Sequence, residues 1–149
     1  MSSTVIFREI IRPPLWLALF IYSMLFSLVA AIWAASTNQI TLFAAIAALS
    51  GGALIIFKMK REITLDEEEL RVGAAHIERK YLGEVTLLPR AQFLKARTRD
   101  INPAAHLALI FWVSEGLRIS VIDSRDPTPY WLISTRKGEQ LKRILQGDI

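Results

Sequence analysis

Enzyme chemistry needs nucleophiles, proton carriers or metal ligands held close together, and this chain offers few. It has no Cys, which removes thiol nucleophiles, disulfides and Cys-based zinc sites. Its two histidines, His76 and His106, stand far apart without metal-ligand spacing. No G-x-S-x-G elbow, phosphate-cradling Gly-rich loop or H-E-x-x-H pair occurs. The run Asp66-Glu67-Glu68-Glu69 has the charge to hold a divalent cation. Flanked by alternating segments, it reads better as a solvated hairpin turn. The expectation is a protein that is not an enzyme and has no cofactor and no metal site.

One segment combines stiff backbone, aromatic rings and charge: DSRDPTPYWLISTR, residues 123–136. Pro127 and Pro129 rigidify it, and Asp126 before Pro127 suits an Asx-type turn. If Tyr130 and Trp131 begin a strand they point to opposite faces, so one ring enters the core and the other lies outside. Arg125, Arg136 and Lys137 would then rim the exposed ring, with Thr135 at a helix N-terminus, where anions are favoured. Arg125, Asp126, Thr128, Tyr130, Trp131, Arg136 and Lys137 are therefore the candidate contact for a partner or an anionic headgroup. The alternative is a rigid corner joining a strand to a helix.

These residues must be positioned by elements, and the elements follow from an uneven composition. Of 149 residues, 52% are hydrophobic, but the apolar residues crowd into the first 57 positions. Leu15–Ala35 carries no charge. At about 1.5 Å per residue it is roughly 31 Å long, enough to cross a bilayer's hydrocarbon core. A second uncharged run, Ile40–Phe57, reaches roughly 27 Å. A cleaved leader would share the basic start at Arg8 and Arg12 and the small-residue exit at Ala34-Ala35-Ser36. Leader cores, however, run about 7–15 residues, and here a second span follows at once. The reading is two membrane helices.

Basic residues set the orientation. Arg8 and Arg12 precede the first span, Lys58, Lys60 and Arg61 follow the second, and Ser36-Thr37-Asn38-Gln39 between them is uncharged. The expected organisation is a cytoplasmic segment (1–14), a first span (15–35), an external turn (36–39), a second span (40–57) and a cytoplasmic α+β domain (58–149). This places the protein in a bacterial inner membrane with both termini cytoplasmic. Arg12, Lys58, Lys60 and Arg61 are candidate contacts to lipid headgroups. Ser23, Ser27, Ala31 and Ala35 on one span, and Ala44, Ala48 and Gly52 on the other, recur at spacings that let two helices approach closely. No Asp, Glu, Lys, Arg or His lies inside either span, which argues against an ion or proton relay.

From residue 58 to 149 charge is mixed and apolar segments are short. Glu62–Leu65 and Leu70–Gly73 read as a hairpin, and Tyr81–Leu88 as a strand with Gly83 as its bulge. Pro89–Arg99 reads as a helix with Phe93, Leu94 and Arg97 on one face. Leu107–Val113, Leu117–Ile122 and Tyr130–Ser134 read as further strands. Thr135 is placed to cap a final helix with Leu141, Ile144 and Leu145 on one face, ended by Gly147. Antiparallel strands closed by a C-terminal amphipathic helix suggest a β-roll of pleckstrin-homology type. The formal net charge of +4 is too balanced along the chain for a nucleic-acid partner.

The segment PTPYWLISTR (Pro127–Arg136), together with ELRVG (Glu69–Gly73) and the two spans, resembles an actinobacterial family of small two-span membrane proteins. That family is known only as a domain of unknown function. The resemblance covers Arg12 through the final helix and implies a bacterial inner-membrane protein with a cytoplasmic C-terminal domain. It implies no activity, cofactor or catalytic residue. The combined expectation is a non-catalytic, membrane-anchored scaffold that meets a protein partner or a second copy of itself. The alternatives are recognition of anionic phospholipid and, behind it, a membrane enzyme or a transporter accessory subunit.

Overall fold

The computed structural model describes residues 4–147. Its elements run β1 (Phe7–Ile11), α1 (Leu15–Ala35), α2 (Asn38–Lys58), β2 (Arg61–Leu65), β3 (Glu69–Val72), β4 (Ala75–Glu78), a 3-10 turn (Arg79–Tyr81), β5 (Leu82–Leu88), α3 (Arg90–Thr98), β6 (His106–Ala108), β7 (Gly116–Val121), β8 (Tyr130–Ser134) and α4 (Gly138–Gln146). They form two compact units. One joins the chain up to Ile10 with everything from Arg61 onward; the other is Ile11–Lys60.

The second unit is a hairpin of two helices long and apolar enough to cross a membrane, each of 21 residues with mean hydropathy 2.3. Only 6% of each apolar stretch is buried. A core helix of a water-soluble protein would instead hide such a surface. The connection is shorter than the four residues expected, because α2 already begins at Asn38, with the Thr37 carbonyl accepting the Thr41 N–H at 3.0 Å. Packing between the helices is asymmetric. On α2 the small residues Ala44, Ala48 and Gly52 turn inward, as their spacing suggests. A Cβ on Gly52 would stand 2.7 Å from Tyr22 Cε1 and 3.0 Å from Leu25 Cδ1. On α1 the expected stripe is wrong: Ser23, Ser27, Ala31 and Ala35 are exposed, while Tyr22, Leu25, Val29 and Ile32 are half-buried. Large side chains of one helix filling the shallow face of the other make more dispersion contact than two small faces would.

The first unit holds two four-stranded sheets, ordered β1-β2-β3-β4 and β5-β7-β8-β6. The β2–β3 hairpin closes on Asp66, whose carboxylate accepts the N–H groups of Glu68 (2.9 Å) and Glu69 (2.7 Å). The next hairpin turns at Gly73, whose φ of +63° suits a residue without Cβ. β5 pairs antiparallel with β7, and the expected bulge at Gly83 appears as a register shift between Leu82 and Val85. β7 pairs antiparallel with β8.

Three features depart from expectation. β6 runs parallel to β8, so the second sheet is mixed. The apolar run Leu107–Val113 is strand only at its start. Past it, the Ile110 N–H donates to Ser134 Oγ at 2.9 Å and the Val113 N–H to the Ile110 carbonyl at 3.0 Å, so the backbone turns. Residues 7–11, taken from the sequence as part of a segment leading to the first span, form β1 beside β2.

The core lies within and between the sheets: Ile63, Leu65, Leu70, Leu117, Ile119, Leu132, Ile133 and Leu141 are all fully buried. α3 inserts Phe93 against Leu88, Tyr130 and Leu132, with Ala96 beside it. Leu94, expected on that inward face, is 51% exposed. Gly116 permits this packing, since a Cβ there would lie 2.5 Å from Phe93 Cε2 and would collide with the Ile133 carbonyl oxygen. Gly116→Ala should therefore destabilise this unit by about 3 kcal/mol. A thermal melt followed by near-UV circular dichroism should show it, and an unchanged midpoint would contradict the packing described.

Candidate functional site

Strand β8 brings the segment 123–136 into the middle of the second sheet, and all five of its residues are buried. Tyr130 and Trp131 are 6% and 5% exposed, so the expectation that one ring lies outside is corrected. Both faces of a central strand are covered here, and alternation then puts neither ring in solvent. The Tyr130 hydroxyl accepts the Asn102 N–H at 3.1 Å and donates to the Asp100 carbonyl at 3.4 Å. The Arg118 guanidinium lies 4.2 Å over the Tyr130 ring. Trp131 stacks against His106, with ring centroids 4.3 Å apart.

The expected cationic rim is not assembled either. Arg125 precedes β8 and Arg136 follows it, so they sit at opposite ends of a strand roughly 17 Å long. Arg125 turns to the Tyr81 hydroxyl (2.6 Å) and to the carboxylate of Asp123. Asp123 accepts the Arg125 N–H at 3.0 Å, and Asp126 accepts the Thr128 N–H at 2.9 Å in the predicted Asx turn. These bonds hold both carboxyls below the usual carboxylate range, Asp123 through Arg125 and Asp126 through Thr128.

At the other end of β8 the place expected for an external anion is taken by the chain itself. Glu9, 5% exposed on β1, accepts a hydrogen bond from the Thr135 hydroxyl and another, at 3.0 Å, from the Arg136 N–H. Thr135 Oγ1 in turn accepts the Lys137 N–H at 3.1 Å. The helix begins later than expected, with Lys137 at the N-cap position. Arg136 and Lys137 are exposed. Sequence reasoning missed Glu9 because the period of β1 is misleading: Phe7, Glu9 and Ile11 point inward while the apolar Ile10 points out.

Among the concavities of this unit, one of about 280 Å³ lies at the corner itself, lined by Thr135, Arg136 and Lys137 with Glu115 and Gly138, and two others bear on binding. A cleft of about 300 Å³ opens between the sheets, with Arg61, Ile63, Val72 and the Gly73–Ala75 turn on one wall and His106–Ile110 with Ser134 on the other. It borders β6, the outer strand of its sheet. A second pocket of about 320 Å³ is lined by Arg90, Leu94, Arg97, Phe111, Trp112 and Ser114. Of the expected headgroup contacts, Arg12, Lys58, Lys60 and Arg61 are all exposed, and Lys60 Nζ lies 4.5 Å from the centre of the Phe57 ring. Among the described residues no group of three or more His, Cys, Asp or Glu side chains is placed to hold a metal ion.

The fold thus defines a small α+β protein with a hairpin of two long apolar helices inserted between neighbouring strands of one sheet. A family described as "Protein of unknown function (DUF3093)" matches residues 6–145, and the chain belongs to that family. No curated protein and no solved structure matches it.

Two outcomes are expected. Glu9→Ala strips the Thr135 hydroxyl and the Arg136 N–H of their acceptor and should cost about 2–3 kcal/mol, read as a lowered thermal midpoint, with Glu9→Gln milder. A carboxyl whose folded pKa is depressed contributes stability above its unfolded pKa and loses it as pH falls through the folded value. The loop 123–129 should therefore hold its order at neutral pH and loosen only in acid below the ordinary carboxylate range. Carbon-detected NMR titration should place the midpoints of Asp123 and Asp126 below those of free Asp. Arg125→Gln should return Asp123, and not Asp126, towards the free value.

Proposed function

We propose that this chain is a membrane-anchored, non-catalytic interaction module that holds a small domain at the inner leaflet of a bacterial membrane, both ends of the chain cytoplasmic. The observation that carries this reading is the insertion of the hairpin between β1 and β2. These strands neighbour each other in one sheet, with the Ile6 N–H donating to the Leu65 carbonyl at 2.8 Å. Two strands of one sheet share one side of a bilayer, which favours an even number of crossings between them. The basic residues at Arg8, Arg12, Lys58, Lys60 and Arg61 favour the cytoplasm for that side. A pleckstrin-homology-type roll fits the two sheets and the C-terminal helix, with the parallel β6 as a departure.

Arg125, Asp123, Asp126, Tyr130 and Thr135 of the 123–136 corner are engaged within the chain, which supports a structural role for it. The partner surface then falls to the cleft beside β6, where Leu107 and Leu109 are exposed and the outer strand offers unpaired backbone. The occupant is a protein or a second copy of this chain. Because the chain lacks Cys, Leu107→Cys can carry a single photo-crosslinker. Irradiation in native membranes followed by mild detergent extraction should give one discrete crosslinked species. Recovery of monomer alone by both crosslinking and native extraction would sink the proposal.

A further inference from the structure

The pocket at Arg90, Leu94, Arg97, Phe111, Trp112 and Ser114 is not used by the cleft or the corner. On α3, positions 90, 94 and 97 follow the spacing that puts residues on one helical face, at the edge of the buried side where Phe93 enters the core. That face is mixed: two guanidiniums flank a leucine that is 51% exposed. Beside it Phe111 is 60% exposed and meets Trp112 edge-on, with centroids 4.8 Å apart. Among the described residues no carboxylate forms an ion pair with Arg90 or Arg97. The Trp112 indole N–H is buried without a hydrogen-bond acceptor, a cost that structures rarely leave standing.

Position selects the occupant. Arg61, where this unit resumes after the second long helix, lines the same cleft as Leu109 and Ile110, and Phe111 follows directly. The pocket therefore adjoins, through Phe111, the cleft that Arg61 lines. Exposed aromatic and aliphatic side chains ringed by unpaired cations complement a layer of anionic headgroups above acyl chains.

We infer that Arg90, Arg97 and Ser114 bind the phosphate of an anionic phospholipid while Phe111 and Leu94 enter the headgroup–acyl boundary, fixing the domain's orientation on its own membrane. This rests on the membrane-anchored reading above.

The test uses the full chain in vesicles of phosphatidylcholine alone or mixed with phosphatidylglycerol. A nitroxide is placed at Phe111→Cys, with Ser124→Cys as the solvent reference and Phe43→Cys, in α2 and 73% exposed, as the lipid reference. Power-saturation EPR with oxygen and a water-soluble nickel chelate reads immersion depth. The label at 111 should be lipid-immersed in phosphatidylglycerol vesicles and much less so in pure phosphatidylcholine. Arg90→Gln with Arg97→Gln should lower the docked-to-undocked ratio by on the order of tenfold. If 111 reads like 124 in anionic vesicles while 43 is immersed, the inference is overturned. Equal immersion in both lipids overturns the phosphate recognition. If 43 itself is not immersed, the membrane anchor fails instead.

Discussion

A buried carboxylate holds this fold together. Glu9 stands at the centre of β1, the last element before the hairpin, and reaches the Thr135 hydroxyl and the Arg136 N–H near the far end of the chain. A lone buried charge is expensive, and it is tolerable only where donors surround it. Those donors come from the turn between β8 and α4, so β1 is satisfied only when the rest of the domain has formed. The long apolar hairpin is thereby an insertion within a domain. Strands on both sides of it in sequence must find each other in one sheet.

The same bond takes up the Thr135 hydroxyl and the Arg136 N–H at the far end of the 123–136 corner. A helix start offers unpaired N–H groups that attract anions, and the residue types there suggested an external ligand. Glu9 meets the chain just before that start, at Thr135 and Arg136, and the N-cap itself falls at Lys137. At the opposite end of β8, Arg125 is engaged by Asp123 and Tyr81. Chemistry that looked available in one dimension is consumed in three. Arg136 and Lys137 stay exposed at that end, and Arg90 and Arg97 on α3 lie beside Phe111 in a separate pocket.

Much of the fold was legible because local rules governed it. The charge-free runs gave the long helices, with α1 at its observed bounds. The Asp66 turn, the Gly83 bulge, strand Tyr130–Ser134 and the Gly147 stop follow from residue types whose backbone preferences dominate their neighbours. The misreadings share a cause, which is dependence on distant partners. Glu9 inverts the apparent period of β1 because its partners lie far along the chain. Leu107–Val113 has the composition of a strand, but Ser134 takes the Ile110 N–H and turns it. The stripe on α1 obeyed the spacing rule, yet α2 presents its small face to Tyr22 and Leu25.

The sequence by itself determined the elements set by composition and periodicity: two spans' worth of uncharged helix, the hairpins, the bulge, the amphipathic final helix and an absence of thiols. Hydrophobic runs and turn residues act over a few positions, and those can be read directly. Tertiary structure alone decided which polar groups remain free. It buried Tyr130 and Trp131 together, set β6 parallel to β8, placed Glu9 against Thr135 and Arg136 and left Arg90 and Phe111 exposed. The physical reason is that burial and hydrogen-bond satisfaction depend on every neighbour in space, and no local stretch of chain contains them.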